Sequence, residues 1–134
     1  MPDAGGVATV LSMNSPADVV REFFEQMEAR EWDAAGALLS PGLRIEYTET
    51  GEVFEGDNFL AMNRAYPEGW AIEVVETVGD GSRVAAQVKV DLGDETFWCA
   101  GFYEVTDGVI ESGVEHWVTQ GSEQPPAWRH QFSS

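Results

Sequence analysis

The chain has 134 residues, 43% of them hydrophobic, and sets 24 acids against 7 bases for a net charge of −17. That length fits one domain, and that composition fits a packed core rather than a disordered chain. The charge repels phosphate backbones and anionic lipid headgroups, so neither nucleic acid nor a membrane surface is an expected partner. Cys99 is the single cysteine, which excludes an intrachain disulfide and makes a reducing cytoplasm the simplest setting. No apolar run reaches membrane-spanning length. Residues 1–13 lack the basic start and long apolar run of a secretion signal and read as a flexible leader, with a single domain over 14–134.

The first helix is signalled by Ser15 as cap, Pro16 at the first turn and Asp18 near the positive end of the helix dipole. Val19, Val20, Phe23, Phe24 and Met27 recur at helical spacing, so this helix must cover something apolar. A second short helix is predicted over about Asp33 to Leu39, stopped by Pro41 and Gly42. The pattern then changes to period two: Leu43, Ile45 and Tyr47 alternate with Arg44, Glu46 and Thr48, as in a half-buried strand. Thr50 and Gly51 turn the chain into a short return strand, Glu52 to Glu55. Gly56 and Asp57 open a third helix through Phe59, Leu60, Met62 and Asn63 to about Ala65, which Pro67 and Gly69 end.

Four strands complete the reading. Trp70, Ile72 and Val74 mark the first, and Gly79-Asp80-Gly81-Ser82 turns into Val84, Ala86, Val88 and Val90. Gly93 and Asp94 turn into Glu95 to Val105, and Asp107 and Gly108 turn into Val109 to Val118. Turns this short join antiparallel neighbours, so the four form a meander. The tail, with Pro125, Pro126 and Trp128, is expected as a surface loop. Helices first and antiparallel strands after give an α+β class, with helices packed on a strongly curved, mainly antiparallel sheet around a cone-shaped interior.

This order resembles the nuclear transport factor 2-like (cystatin-like) superfamily, and within it the SnoaL-like group. The likeness rests on Val19 to Phe24, Trp32 to Leu39, Gly51 to Gly56, Tyr66 to Trp70, Asp107 to Ile110 and Glu115-His116-Trp117. Pro125 to Arg129 adds to it by resembling the tails of some bacterial members. It implies a pocket for a small apolar molecule and a homodimer paired through the outer sheet face. Members include polyketide cyclases, ketosteroid isomerases, epoxide hydrolases and dehydratases. The resemblance also places a working carboxylate on the strands, at the position Glu115 occupies.

A carboxyl group buried there can act as a general base, because an apolar pocket raises its pKa toward the working pH. Adjacent strand residues point to opposite faces, so a regular strand admits Glu115 or His116 to the pocket, not both. The set Ile110, Ser112, Val114, His116 and Val118 is the more apolar and favours His116 as the inward residue. The resemblance favours Glu115, which is the preferred base, with His116 as the alternative. Tyr47, on the core-facing parity of its strand, could orient a substrate carbonyl. Asn63, Trp70, Phe97, Cys99, Tyr103 and Trp117 are the candidate substrate-binding residues.

Two activities fit less well. The arginine and aspartate of the epoxide-hydrolase pattern fall on Val88 and Val90, and only a one-residue slip would bring Lys89 and Asp91 there. The helix-one tyrosine of the ketosteroid isomerases is absent, since Phe23 and Phe24 stand in that helix. His116 and His130 have no metal-ligand spacing and no phosphate-cradling glycine loop is visible, so neither metal nor cofactor is expected.

Overall fold

The structure is a computed structural model that describes residues 14–134; the expected leader lies outside the described residues. Helix α1 spans Pro16–Glu28. Its start is a reciprocal cap: the Asp18 N–H donates to Ser15 Oγ at 3.1 Å and the Ser15 N–H donates to the Asp18 carboxylate at 3.2 Å. Such a cap contributes about 1 kcal/mol. Val19, Val20, Phe23, Phe24 and Met27 are its buried face, laid across the strands of the sheet. Arg30, in the left-handed region at φ 59°, ends this segment.

Helix α2, Trp32–Gly36, is shorter than the spacing of its alanines predicts. Strand β1 begins at Leu39 and runs to Tyr47, taking in Pro41 and Gly42. The reason is tertiary. The Ile110 N–H donates to Leu38 O at 2.8 Å, and Leu39 pairs with Ile110, which pulls the end of the expected helix into the sheet. Pro41 has no N–H to give, and it sits where the register shifts between Leu39 and Arg44, so the ladder does not need one there.

The remaining elements are β2 (Val53–Glu55), α3 (Asn58–Ala65), β3 (Trp70–Asp80), β4 (Arg83–Leu92), β5 (Glu95–Thr106) and β6 (Val109–Thr119). The strands form a six-stranded sheet in the order β2-β1-β6-β5-β4-β3. β1 and β6 are parallel, and every other pair is antiparallel. The β5–β6 turn has both central residues at positive φ, Asp107 at 53° and Gly108 at 79°. That is the backbone a two-residue hairpin needs, and it sets the first pairs of the hairpin, Thr106 with Val109 and Val105 with Ile110. The chain thus has the α+β architecture expected for it, an open curved sheet with helices against its inner face. The tail does not stay irregular: Ala127–Phe132 form a 3-10 turn, with Trp128 and Phe132 exposed. Among the described residues, no helix is long and apolar enough to cross a membrane.

Besides the shift in β1, two bulges lie between antiparallel strands. One leaves Val75 between Val74 and Glu76 on β3; the other leaves Glu111 unpaired, because Glu104 faces Ser112 while Val105 faces Ile110. The second decides the faces of β6. With one extra residue in the strand, Ile110 turns inward with Gly113 and Glu115, while His116 is exposed. The parity that grouped Ile110 with His116 is therefore corrected. It assumed an uninterrupted strand, and the slip lies at Glu111, upstream of both candidates.

Candidate active site

The inner faces of β5 and β6 meet in a small rectangle of residues. Gly101 pairs with Glu115, and Tyr103 pairs with Gly113. The two glycines stand on one diagonal and the two polar side chains on the other. A Cβ at Gly101 would overlap the Tyr103 hydroxyl and ring, and one at Gly113 would overlap the ring edge. The absent side chains are what let the Tyr103 ring lie over the sheet and reach its diagonal neighbour. Its hydroxyl donates to Glu115 Oε2 at 2.6 Å. Trp117, two residues along the same face of β6, donates from Nε1 to Oε1 at 3.0 Å.

Glu115 is 1% exposed, the one charged-type residue in the core among the described residues. Burial raises its pKa above the ordinary carboxylate value, and the donors from Tyr103 and Trp117 pull the other way. Burial outweighs them. Tyr103 and Tyr47 are held above the usual phenol range by burial first and by the nearby Glu115 charge second. The Cys99 thiol is raised for the same reasons and is not a ready nucleophile.

Glu115 forms part of the floor of a cavity of about 270 Å³. The cavity lies where β1, β4 and β6 end and β3 and β5 begin. α1 contributes Phe24 and Met27, and α3 contributes Phe59, Met62 and Asn63. The strands add Tyr47, Trp70, Phe97 and Trp117 among others, and Glu49, Thr50 and Tyr66 form an exposed rim. Tyr47 packs edge-on against Phe54 at 4.9 Å between ring centres and lies 6.2 Å from Trp117. The other half of the interior is solid, filled by residues such as Leu43, Ile45, Val84, Val105 and Ile110.

Of the residues singled out in the sequence, Glu115, Tyr47, Asn63, Trp70, Phe97 and Trp117 come together around this one cavity. Cys99 and Tyr103 do not line it. Both are buried on the inner sheet face, and Tyr103 is occupied by Glu115 rather than turned toward a ligand. The alternative base, His116, is on the outer face, where its Nδ1 lies 2.7 Å from Thr48 Oγ1 and its ring meets Phe102 edge-on. The Asn63 amide donates to Phe59 O at 2.9 Å, which leaves its carbonyl oxygen for a ligand. Trp70 is held from outside the cavity: the Arg30 guanidinium lies 3.3 Å from its ring centre and donates to Trp70 O at 2.7 Å. Its indole Nε1 is buried with no partner among the described residues.

Apart from Asn63, the sequence reading missed the α3 wall and the rim. Phe59, Met62, Asn63 and Tyr66 fall at the i, i+3, i+4, i+7 spacing of one helical stripe, so the signal was present. Only Phe59 of these is buried, which is the mark of a stripe facing a hollow rather than a core. Among the described residues no cluster of His, Cys, Asp and Glu has the arrangement of a metal site.

Residues 20–112 match the family model of the SnoaL-like domain. No curated protein matches the chain in sequence. The solved structure of a candidate ketosteroid isomerase from Kribbella flavida is 30% identical, with a TM-score of 0.81 over 89% of this chain and 87% of that one. A nuclear transport factor 2-like protein of unknown function from Burkholderia xenovorans is 18% identical, with a TM-score of 0.72 over 89% and 93% of the two chains. A candidate polyketide cyclase from Sinorhizobium meliloti is 19% identical, with a TM-score of 0.64 over 73% and 93%. The last two likenesses speak for the fold alone. With its family model matched over most of its length and a solved structure 30% identical over most of both chains, the chain belongs to the SnoaL-like family.

Proposed function

We propose that this protein is an acid/base enzyme acting on a small apolar molecule, with Glu115 as the general base and the reaction of cyclase or isomerase type. One observation carries the reading: a buried carboxyl group, fixed by two donors, at the floor of an otherwise apolar cavity. Burial raises its pKa, so the ionised carboxylate is a stronger base that can take a proton from carbon and, once protonated, return it within one cycle. A carboxyl group has about four lone-pair sites and these two donors occupy two, which leaves others for substrate. Tyr47, on the cavity wall, orients the substrate through its hydroxyl. Tyr103 and Trp117 position the carboxyl group, and Trp117 also forms part of the cavity wall. The 30% identity to a candidate ketosteroid isomerase supports proton transfer next to a carbonyl. This chain lacks a tyrosine in α1, where Phe23 and Phe24 stand, so the polarising donor would be Tyr47.

A non-conjugated cyclic ketone small enough for the cavity, cyclohex-3-enone, is a direct test. Glu115 would remove a proton from the carbon between carbonyl and alkene and redeliver it to the far alkene carbon, giving the conjugated enone, which absorbance reads. Glu115→Gln should lower kcat by about 100-fold or more while binding persists. Turnover unchanged in that variant would refute the assignment. A second reading, a non-catalytic ligand-binding or dimerisation module, is favoured by the same two donors, which would also satisfy a purely structural acid. In solution we propose a cytoplasmic homodimer paired through the outer sheet face, where Val78, Phe102 and Val118 are exposed; sedimentation of the wild-type chain checks it.

A further inference from the structure

Charge is distributed around the cavity in a way that bears on what it can admit. Seven of its eighteen lining residues are aromatic, two are glutamates, and none is Lys, Arg or His. Four of the seven bases, Arg30, Arg44, Arg83 and Lys89, pair with acids outside the lining, and the other three, Arg21, Arg64 and Arg129, are not part of it either. Residues 1–13 contain no basic side chain at all. An anion entering this chamber would give up water, meet no counter-charge, and pass Glu49 at the rim. An uncharged molecule meets none of these costs. An ammonium group at the mouth gains from the rim carboxylate.

We infer that the cavity admits uncharged apolar molecules and apolar amines, excludes carboxylates and phosphate or sulfate esters, and owes its preference for an amine to Glu49. The inference rests on the reading of this cavity as the substrate site. Glu49 is the attracting group, not Glu115. Both Glu115 oxygens already accept hydrogen bonds, and the group is sealed at the floor, away from the mouth. Glu49 lies two residues beyond Tyr47 on the exposed rim, so an amine would sit at the mouth with its apolar body inside. An exposed carboxylate acts through a salt-screened field, which makes its contribution modest and sensitive to ionic strength.

The test uses three ligands of one skeleton: naphthalen-1-ylmethanol, naphthalen-1-ylmethanamine and naphthalene-1-carboxylate, titrated calorimetrically into the full chain at pH 7.5 and low salt. The expected order is amine, then alcohol, then acid. The amine should bind at least about threefold tighter than the alcohol, and the acid at least about fivefold weaker. Glu49→Gln should bring amine and alcohol to equal affinity, and about 0.5 M salt should do the same to the wild type. An acid less than fivefold weaker than the alcohol overturns the exclusion. An amine preference smaller than threefold, or one that survives Glu49→Gln, overturns the role of Glu49. If none of the three binds, the cavity is not a substrate site, and the proposed function falls together with this inference. If the acid binds well while Glu115→Gln still abolishes enone turnover, the charge inference alone falls.

Discussion

Glu115 and His116 are neighbours on one strand and live in different solvents. Glu115 is sealed inside with two hydrogen-bond donors, and His116 stands outside with one threonine hydroxyl within reach. The difference is prepared by their surroundings across the hairpin. Inside, Gly101 faces Glu115 and Gly113 stands next along the strand, so a tyrosine ring can lie over both and bring its hydroxyl to the carboxyl group. Outside, Ala100 faces His116 and Phe102 touches its edge, and nothing there has to be satisfied away from water. A titratable group on the inner face thus requires small residues around it as much as it requires donors.

The hardest blow to this contrast is Gly101→Ala. The new methyl group would occupy the place of the Tyr103 hydroxyl, so the ring must leave and Glu115 must lose its shorter hydrogen bond. Overpacking and an under-partnered buried acid together should cost about 2–4 kcal/mol, read by urea unfolding. In a Tyr103→Ala background the same change should cost little further, because the clash is already gone. An additive double mutant would mean that the glycine serves the backbone rather than the ring.

The contrast is sharpened by pH. Burial makes the folded chain hold the Glu115 proton more tightly than the unfolded chain, whose carboxyl group titrates near the ordinary 4.5. The folded state therefore binds more protons from that value up to the raised folded one. The stability owed to the neutral carboxyl group is fully present below about 4.5 and is lost as pH climbs through the folded pKa. Glu115→Gln has no proton to lose. The unfolding free energy of this variant minus that of the wild type should grow with pH across the window, by at most about 1.4 kcal/mol per pH unit. Unfolding curves at several pH values measure it, and a flat difference would show that Glu115 ionises inside the protein as easily as outside.

Much of this was legible in the residues. The cap at Ser15, the apolar stripe of α1 and the glycine turns act locally, and each appeared where its pattern put it; the period-two strands appeared too, though β1 starts at Leu39 rather than Leu43. What the sequence hid was set by pairing at a distance. The end of α2 was claimed by Ile110, seventy-two residues past Leu38 in the chain, and the faces of β6 were set by a bulge at Glu111 that no local pattern announces. The bond from Tyr103 to Glu115 was hidden for a similar reason. It is a diagonal across two strands, and it shows only once the register puts the two glycines on the opposite diagonal. The α3 wall was present as a stripe, but a stripe alone does not say whether it faces a core or a hollow.

The smallest expected effect belongs to His116→Ala. The change removes the contact with Thr48 and the edge of the ring against Phe102, both on the exposed side of the sheet. Water can take over the threonine hydroxyl, so the unfolding free energy should move by no more than about 0.5 kcal/mol, and turnover of any substrate that depends on Glu115 should not change. A loss of turnover would put the base on the wrong neighbour and reverse the comparison. A stability cost that appears only at high protein concentration would have a different meaning. It would place His116, with Phe102 and Val118, under a second copy of the chain, because an interface contact contributes only to the extent that the copies are assembled. Measured in dilute and concentrated protein, one outer-face substitution therefore tests both the assignment of the base and the surface proposed for the dimer.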